Sequence, residues 1–185
     1  MNSLSAVLLV SWSSPRMLEY PTLLVHGWAR AAQVDGSLAW TRVITDSAGQ
    51  PLGFGRFVGD PRGSWFSWLR QLGVEVHEAQ DASDLMTLTR SWGIFRGWDV
   101  HDAEGRHVGS LNGKVVVTGE NELIGYLDLQ ERRMVGPSNR CVANFAVKED
   151  TRLELTFTEE LPPNPFLRML LLGCILTLDP NPPCT

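Results

Sequence analysis

The groups equipped for chemistry in this 185-residue chain are four His, three Cys and an abundance of Arg. His77-Glu78 with Asp81, and His101 with His107 near Asp99 and Glu104, are the two groupings that look metal-like. Both fall in polar, turn-rich sequence. Catalytic zinc needs three converging ligands held by an outer layer of hydrogen bonds, which neither spacing supplies, so no metal or cofactor is expected. Cys174 lies inside an apolar run, where a thiol behaves as a small hydrophobe rather than a nucleophile. Nucleophile-elbow, P-loop, dinucleotide and HExxH patterns are absent; residues 109–113 have glycines at both ends, but Ser110 falls one place too early. An enzyme built on this chain would have to hide its site from spacing.

The cations are more telling, because Lys114 and Lys148 are the only lysines and the rest of the positive charge is Arg. The planar guanidinium fork suits phosphate and carboxylate. Arg90 with Arg96, and Arg132-Arg133 with Arg140, are the candidate anion-binding groups. Sixteen Lys+Arg against 21 Asp+Glu leave a net charge of −5, which argues against a nucleic-acid partner. Cys141, Cys174 and Cys184 form neither a CxxC pair nor an even framework, so a reducing, cytoplasmic setting is expected. Residues 6–10 are apolar but lack a preceding basic residue and a clear cleavage site, so 1–16 read as a lead-in outside the fold rather than a signal peptide.

Short runs of period two, broken by Gly, Asp or Pro about every ten residues, position these groups on antiparallel strands. The cleanest is 153–158, where Leu153, Leu155 and Phe157 face one side and Glu154, Thr156 and Thr158 the other. Further strands are predicted at 23–25, 39–45, 52–58, 74–77, 85–90, 97–101, 107–111, 115–118, 124–129 and 142–147. Two hairpins repeat one pattern: Asp46-x2-Gly49-x3-Gly53 and Asp102-x2-Gly105-x3-Gly109. Ten Asp and 17 Gly would produce this spacing by chance only about 0.08 times, so a duplicated unit is indicated. Asp suits the first position of a type I turn, a left-handed Gly closes it with a bulge, and the second Gly admits a close neighbour.

Two segments break the period. Residues 64–72 place Trp65, Trp68, Leu69 and Leu72 at helical spacing, with Phe66 between. Such a helix lies on the barrel wall with its aromatics buried, or offers Trp65, Phe66, Trp68 and Leu69 as an apolar contact for a partner or bilayer. Residues 166–178 are apolar around almost the whole circumference, with Asn164 placed to cap and Pro165 suited to the first turn. Thirteen residues at 1.5 Å rise reach about 20 Å, short of the roughly 30 Å of a hydrocarbon core, so no spanning membrane helix is expected. A helix apolar on every side must be wrapped by the sheet. Arg168 in its first turn must then reach the barrel mouth or pair with Glu159 or Glu160.

Repeated hairpins ending in one apolar helix resemble the tubby C-terminal-like superfamily, the fold of phospholipid scramblases and LURP-one-related proteins. Residues 85–90 followed by Phe95-Arg96-Gly97-Trp98-Asp99-Val100-His101-Asp102-x2-Gly105-x3-Gly109 are similar to the central stretch of those families, and the likeness runs loosely from Leu23 to Asp179. It implies a mainly β (α+β) fold: a closed antiparallel β-barrel around a buried hydrophobic C-terminal helix, as one domain over 17–179 with a Pro-rich tail at 180–185. It also implies a non-catalytic module, peripheral at a membrane, that binds anionic phospholipid through Arg side chains. No oxygen-rich loop flanks the helix, so calcium gating is not expected. A protein-interaction or scaffold role is the alternative.

Overall fold

The computed structural model describes residues 16–32, 38–58, 72–79, 81–90, 97–148 and 152–178. A 3-10 turn at Met17–Glu19 leads into β1 (Thr22–Val25), β2 (Ala29–Ala32), β3 (Leu38–Thr45), β4 (Pro51–Val58), β5 (Gly73–Glu78), β6 (Asp84–Arg90) and β7 (Trp98–Asp102). Next come β8 (His107–Asn112), β9 (Val115–Thr118), β10 (Leu123–Asp128), β11 (Arg133–Val135), β12 (Cys141–Val147), β13 (Leu153–Phe157) and the helix α1 (Pro165–Leu178). From β2 to β13 each strand pairs antiparallel with its neighbours in sequence. β1 closes the sheet, pairing with β13 on one side and with Ile44 and Thr45 of β3 on the other. β2 takes the same edge of β3 further along, so β1 and β2 share one of twelve positions around a closed barrel. Two elements escape the sequence pattern. β2 is Ala-Arg-Ala-Ala, a poor strand former, and β11 is only three residues long.

Up-and-down connectivity sends alternate hairpins to opposite ends. We call the end where α1 begins the near end and the other the far end. The turns after β3, β7, β9 and β11 are all near-end turns, and all four have one design. Residue i donates its N–H to the carbonyl of i+4, and the N–H of i+3 returns to the carbonyl of i, at 46–50, 102–106, 118–122 and 136–140. The side chains of Asp46 and Asp102 each accept N–H groups from positions i+2 and i+4. Thr118 Oγ1 does the same. The left-handed residue is Gly49 (φ 83°), Gly105 (φ 76°), Asn121 (φ 63°) and Asn139 (φ 57°), so Asn substitutes for Gly in two copies the Asp-Gly pattern does not reveal.

The second glycine of each repeat serves contact rather than φ. A Cβ on Gly53 would meet the His77 carbonyl at 2.4 Å and Met17 Sδ at 3.0 Å; one on Gly109 would meet the Val117 carbonyl at 2.2 Å and Leu170 of the helix at 3.0 Å. These bare positions let the sheet close on its contents.

Those contents are α1. Asn164 Oδ1 accepts the Phe166 N–H at 2.9 Å, capping the start, and Pro165 occupies the first helical position. Met169 through Leu176 are buried on every side. Gly173 brings the helix against Leu88, Val100 and Leu111, and Leu176 packs over Gly55. Inward residues of every strand except β2 complete one core, among them Leu23, Val74, Val76, Leu88, Val100, Val116 and Leu155. The two glycine roles separate on substitution. Gly49→Ala has open space and costs only the left-handed backbone, about 1–2 kcal/mol. Gly109→Ala must displace a carbonyl and the helix, costing at least about 3 kcal/mol; urea unfolding of the two variants checks the order.

Candidate functional site

Two regions concentrate polar groups. The first is an open-mouthed cavity of about 550 Å³ at the near end, between the 3-10 turn, the hairpins after β5 and β7, and the start of α1. Its apolar floor is Leu18, Leu85, Phe166 and Met169; Glu19, Glu78, Asp84 and Glu104 stand around it with Arg16, Arg106 and Arg168. Arg106 is bound to Asp102 at 2.7 Å and to Glu104 at 2.9 Å. Arg168 does not pair with Glu159 or Glu160. It reaches the mouth, where it donates to the Leu18 carbonyl and lies 4.9 Å over the Phe157 ring.

Asp102 ties this cavity to the hairpin repeat. Burial works against its charge, yet the Arg106 N–H, the Arg106 guanidinium and the Glu104 N–H hold its carboxyl below the ordinary value of 3.8. Its stabilising effect is therefore complete above pH 3.8 and is lost as the pH falls through the depressed folded-state value.

The second region is the far-end rim formed by three successive hairpins. Lys114 and Val115 come from the β8–β9 turn, Leu129, Arg132 and Arg133 from β10–β11, and Val147, Lys148 and Arg152 from the ends of β12 and β13. The rim is continuous: Leu127 N donates to the Lys114 carbonyl at 2.7 Å and Phe145 N to the Arg132 carbonyl at 2.8 Å. Val115, Leu129 and Val147 are 40%, 45% and 56% exposed, placing apolar side chains among the cations. Lys148 is held by Glu154 at 3.2 Å, and Asp128 Oδ1 is occupied by the N–H groups of Gln130 and Glu131. Arg132 adopts φ 52°, a left-handed conformation that the four five-residue near-end turns assign to Gly or Asn and the turn after β5 to Ala82.

Of the Arg residues singled out by sequence, Arg132 and Arg133 are neighbours on this rim, and Arg90 ends β6 at the same end, half-buried. Arg140 is not with them. It belongs to the near-end turn after β11, paired with Glu160 at 3.0 Å, so the length of the barrel wall separates it from Arg132-Arg133. Arg96 and the aromatic segment with Trp65, Phe66, Trp68 and Leu69 lie outside the described residues. Lys114, Lys148 and Arg152 were missed, since they join the rim only through alternation of hairpin ends.

The outer wall carries a Ser-His-Asp cluster wired against catalysis. Ser110 Oγ donates to Asp99 at 2.7 Å, and His107 Nε2 faces both Ser110 Oγ at 3.2 Å and Asp99 at 3.8 Å. A relay needs one ring nitrogen on the hydroxyl and the other on the carboxylate. His77 stacks on Phe54 at 4.9 Å and bonds Asp84 through Nδ1 at 2.8 Å. Among the described residues no group of three His, Cys, Asp or Glu could hold a metal, and no helix is long and apolar enough to cross a membrane. Burial pushes the Cys174 thiol up, away from a thiolate. No family model, curated protein or solved structure matches this chain.

Removing the charge at Asp102 tests the electrostatics. Asp102→Asn should lose about 1–2 kcal/mol near pH 6, and the difference from the native chain should close below pH 3.8 in urea titrations across pH.

Proposed function

We propose that this chain is a non-catalytic scramblase-like, LURP-one-related domain of the tubby C-terminal-like type, and that its far-end rim binds anionic phospholipid headgroups. The closed barrel around a hydrophobic C-terminal helix supports the family reading. The rim supports the ligand. Guanidinium and ammonium groups alternating with exposed Val115, Leu129 and Val147 match a surface that meets phosphates while its apolar side chains enter the interface. The observation that carries this reading is Arg132 at φ 52°. An Arg held in a conformation better suited to Gly points to a role for its guanidinium that offsets the backbone cost. Contact is peripheral and salt-sensitive, because each Lys or Arg near an anionic surface contributes only about 1 kcal/mol and is screened within a Debye length.

Co-sedimentation with phosphatidylcholine vesicles, with and without phosphatidylserine, tests this. The native chain should prefer the anionic vesicles, and Arg132→Ala with Arg133→Ala should weaken that binding by about 2 kcal/mol, roughly 30-fold. Arg140→Ala, at the opposite end, should leave it unchanged. Arg132→Gly should stabilise the fold by about 0.5–1 kcal/mol while weakening vesicle binding. Equal partitioning to neutral and anionic vesicles would sink the proposal.

A further inference from the structure

The described residues divide charge between the two ends. Near-end turns and strand ends carry Asp81, Asp84, Glu120, Glu122, Glu159 and Glu160 in addition to the acids of the cavity, against Arg140 and the cavity's own Arg side chains, while Lys114, Arg132, Arg133, Lys148 and Arg152 outnumber Asp128, Glu131 and Glu154 at the far end. Around the cavity the described acids outnumber the cations, with Glu19, Glu78, Asp84, Asp102 and Glu104 against Arg16, Arg106 and Arg168. An anionic membrane would be repelled there. The cavity itself is built to take side chains: 550 Å³ falls in the range of ligand pockets, and Phe166 is 41% exposed on its floor. Of its three cations, Arg106 is engaged by Asp102 and Glu104 and Arg168 by the Leu18 carbonyl and Phe157, which leaves Arg16 at the margin against five lining carboxylates. Asp84 and Glu104 are 68% and 66% exposed; one oxygen of each is bonded, to His77 and to Arg106, and the second carboxylate oxygen of each can face a bound cation.

We infer that the near-end cavity is a docking site for a partner-protein segment that presents Arg or Lys beside large apolar side chains. The apolar residue enters against Leu18, Leu85, Phe166 and Met169, and the flanking cations meet Glu19, Asp84 and Glu104. Burial of the anchor supplies affinity. The surrounding field raises the association rate and excludes acidic segments. Among the described strands only β2, which pairs with β3 alone and runs toward the far end, leaves an edge open, so recognition at the near end proceeds through side chains rather than strand addition. With the far end on a lipid surface, the near end would point toward the partner, but the docking inference stands without the lipid reading.

Fluorescence anisotropy with a short fluorescein-labelled peptide alternating Arg and Leu tests this directly, beside a control peptide alternating Glu and Leu. The Arg peptide should bind saturably and lose affinity with added salt; the Glu peptide should not bind. Asp84→Asn with Glu104→Gln should weaken binding about tenfold or more. Phe166→Ala, which removes the exposed ring without adding charge, should weaken it independently of salt. Circular dichroism melts establish that each variant is folded, and both should still bind anionic vesicles as the native chain does, which separates this site from the far-end rim. Equal binding of the two peptides, or Arg-peptide binding untouched by either folded variant, would overturn the inference.

Discussion

An α-helix apolar on every side cannot rest on a surface, and the rest of this molecule follows from the need to enclose it. Met169 through Leu176 leave no face for water, so a sheet covering one side would strand the other in solvent. Twelve strand positions closed into a barrel meet the requirement, and among the described strands closure leaves only β2 paired on a single side. Each large aliphatic side chain so buried contributes roughly 1.5–3 kcal/mol. The enclosure is tight enough that glycine is required where helix and wall meet, at Gly109 beneath Leu170 and at Gly173 against three strands.

Enclosure in turn governs the hairpins. A meander around a helix needs strands of matched length and turns that reverse direction without splaying, and the five-residue turn with a left-handed fourth residue does this four times at the near end. Asp, Thr or Gly at its first position and Gly or Asn at its fourth are different solutions to one backbone demand. The far end does not repeat that device. Its turn at Arg132 places a non-Gly residue at φ 52°, as the near-end turn after β5 does with Ala82 at φ 54°.

Polarity along the barrel axis links architecture to the proposed roles. Because hairpins alternate, residues distant in sequence share an end while close ones are parted: Lys114 and Arg152 are brought to one rim, whereas Arg133 and Arg140, seven residues apart, are not. A uniformly acidic chain would be an unpromising partner for an anionic surface. Among the described residues, an excess of acids at the near end and of cations at the far end leaves the far end able to present cations and the near-end cavity complementary to the opposite kind of ligand.

Sequence by itself determined the period-two strands, the helix with its Asn164 cap, the left-handed turn at Gly49 and Gly105, and the need for the sheet to surround the helix. All of these are local preferences or solvation demands that a residue and its near neighbours express alone. Short β11 and Ala-rich β2 were not legible, because their strand state comes from pairing with neighbours rather than from their own side chains. Nor were the turns at Thr118 and Gly136, whose chemistry differs while their geometry agrees. Only the tertiary structure decided which cations stand together, that Arg168 answers to the Leu18 carbonyl instead of a carboxylate, and that an apolar-floored cavity opens among the acids. Those outcomes depend on which end of a closed barrel each turn occupies, a quantity set by the count and direction of strands and carried by no single residue.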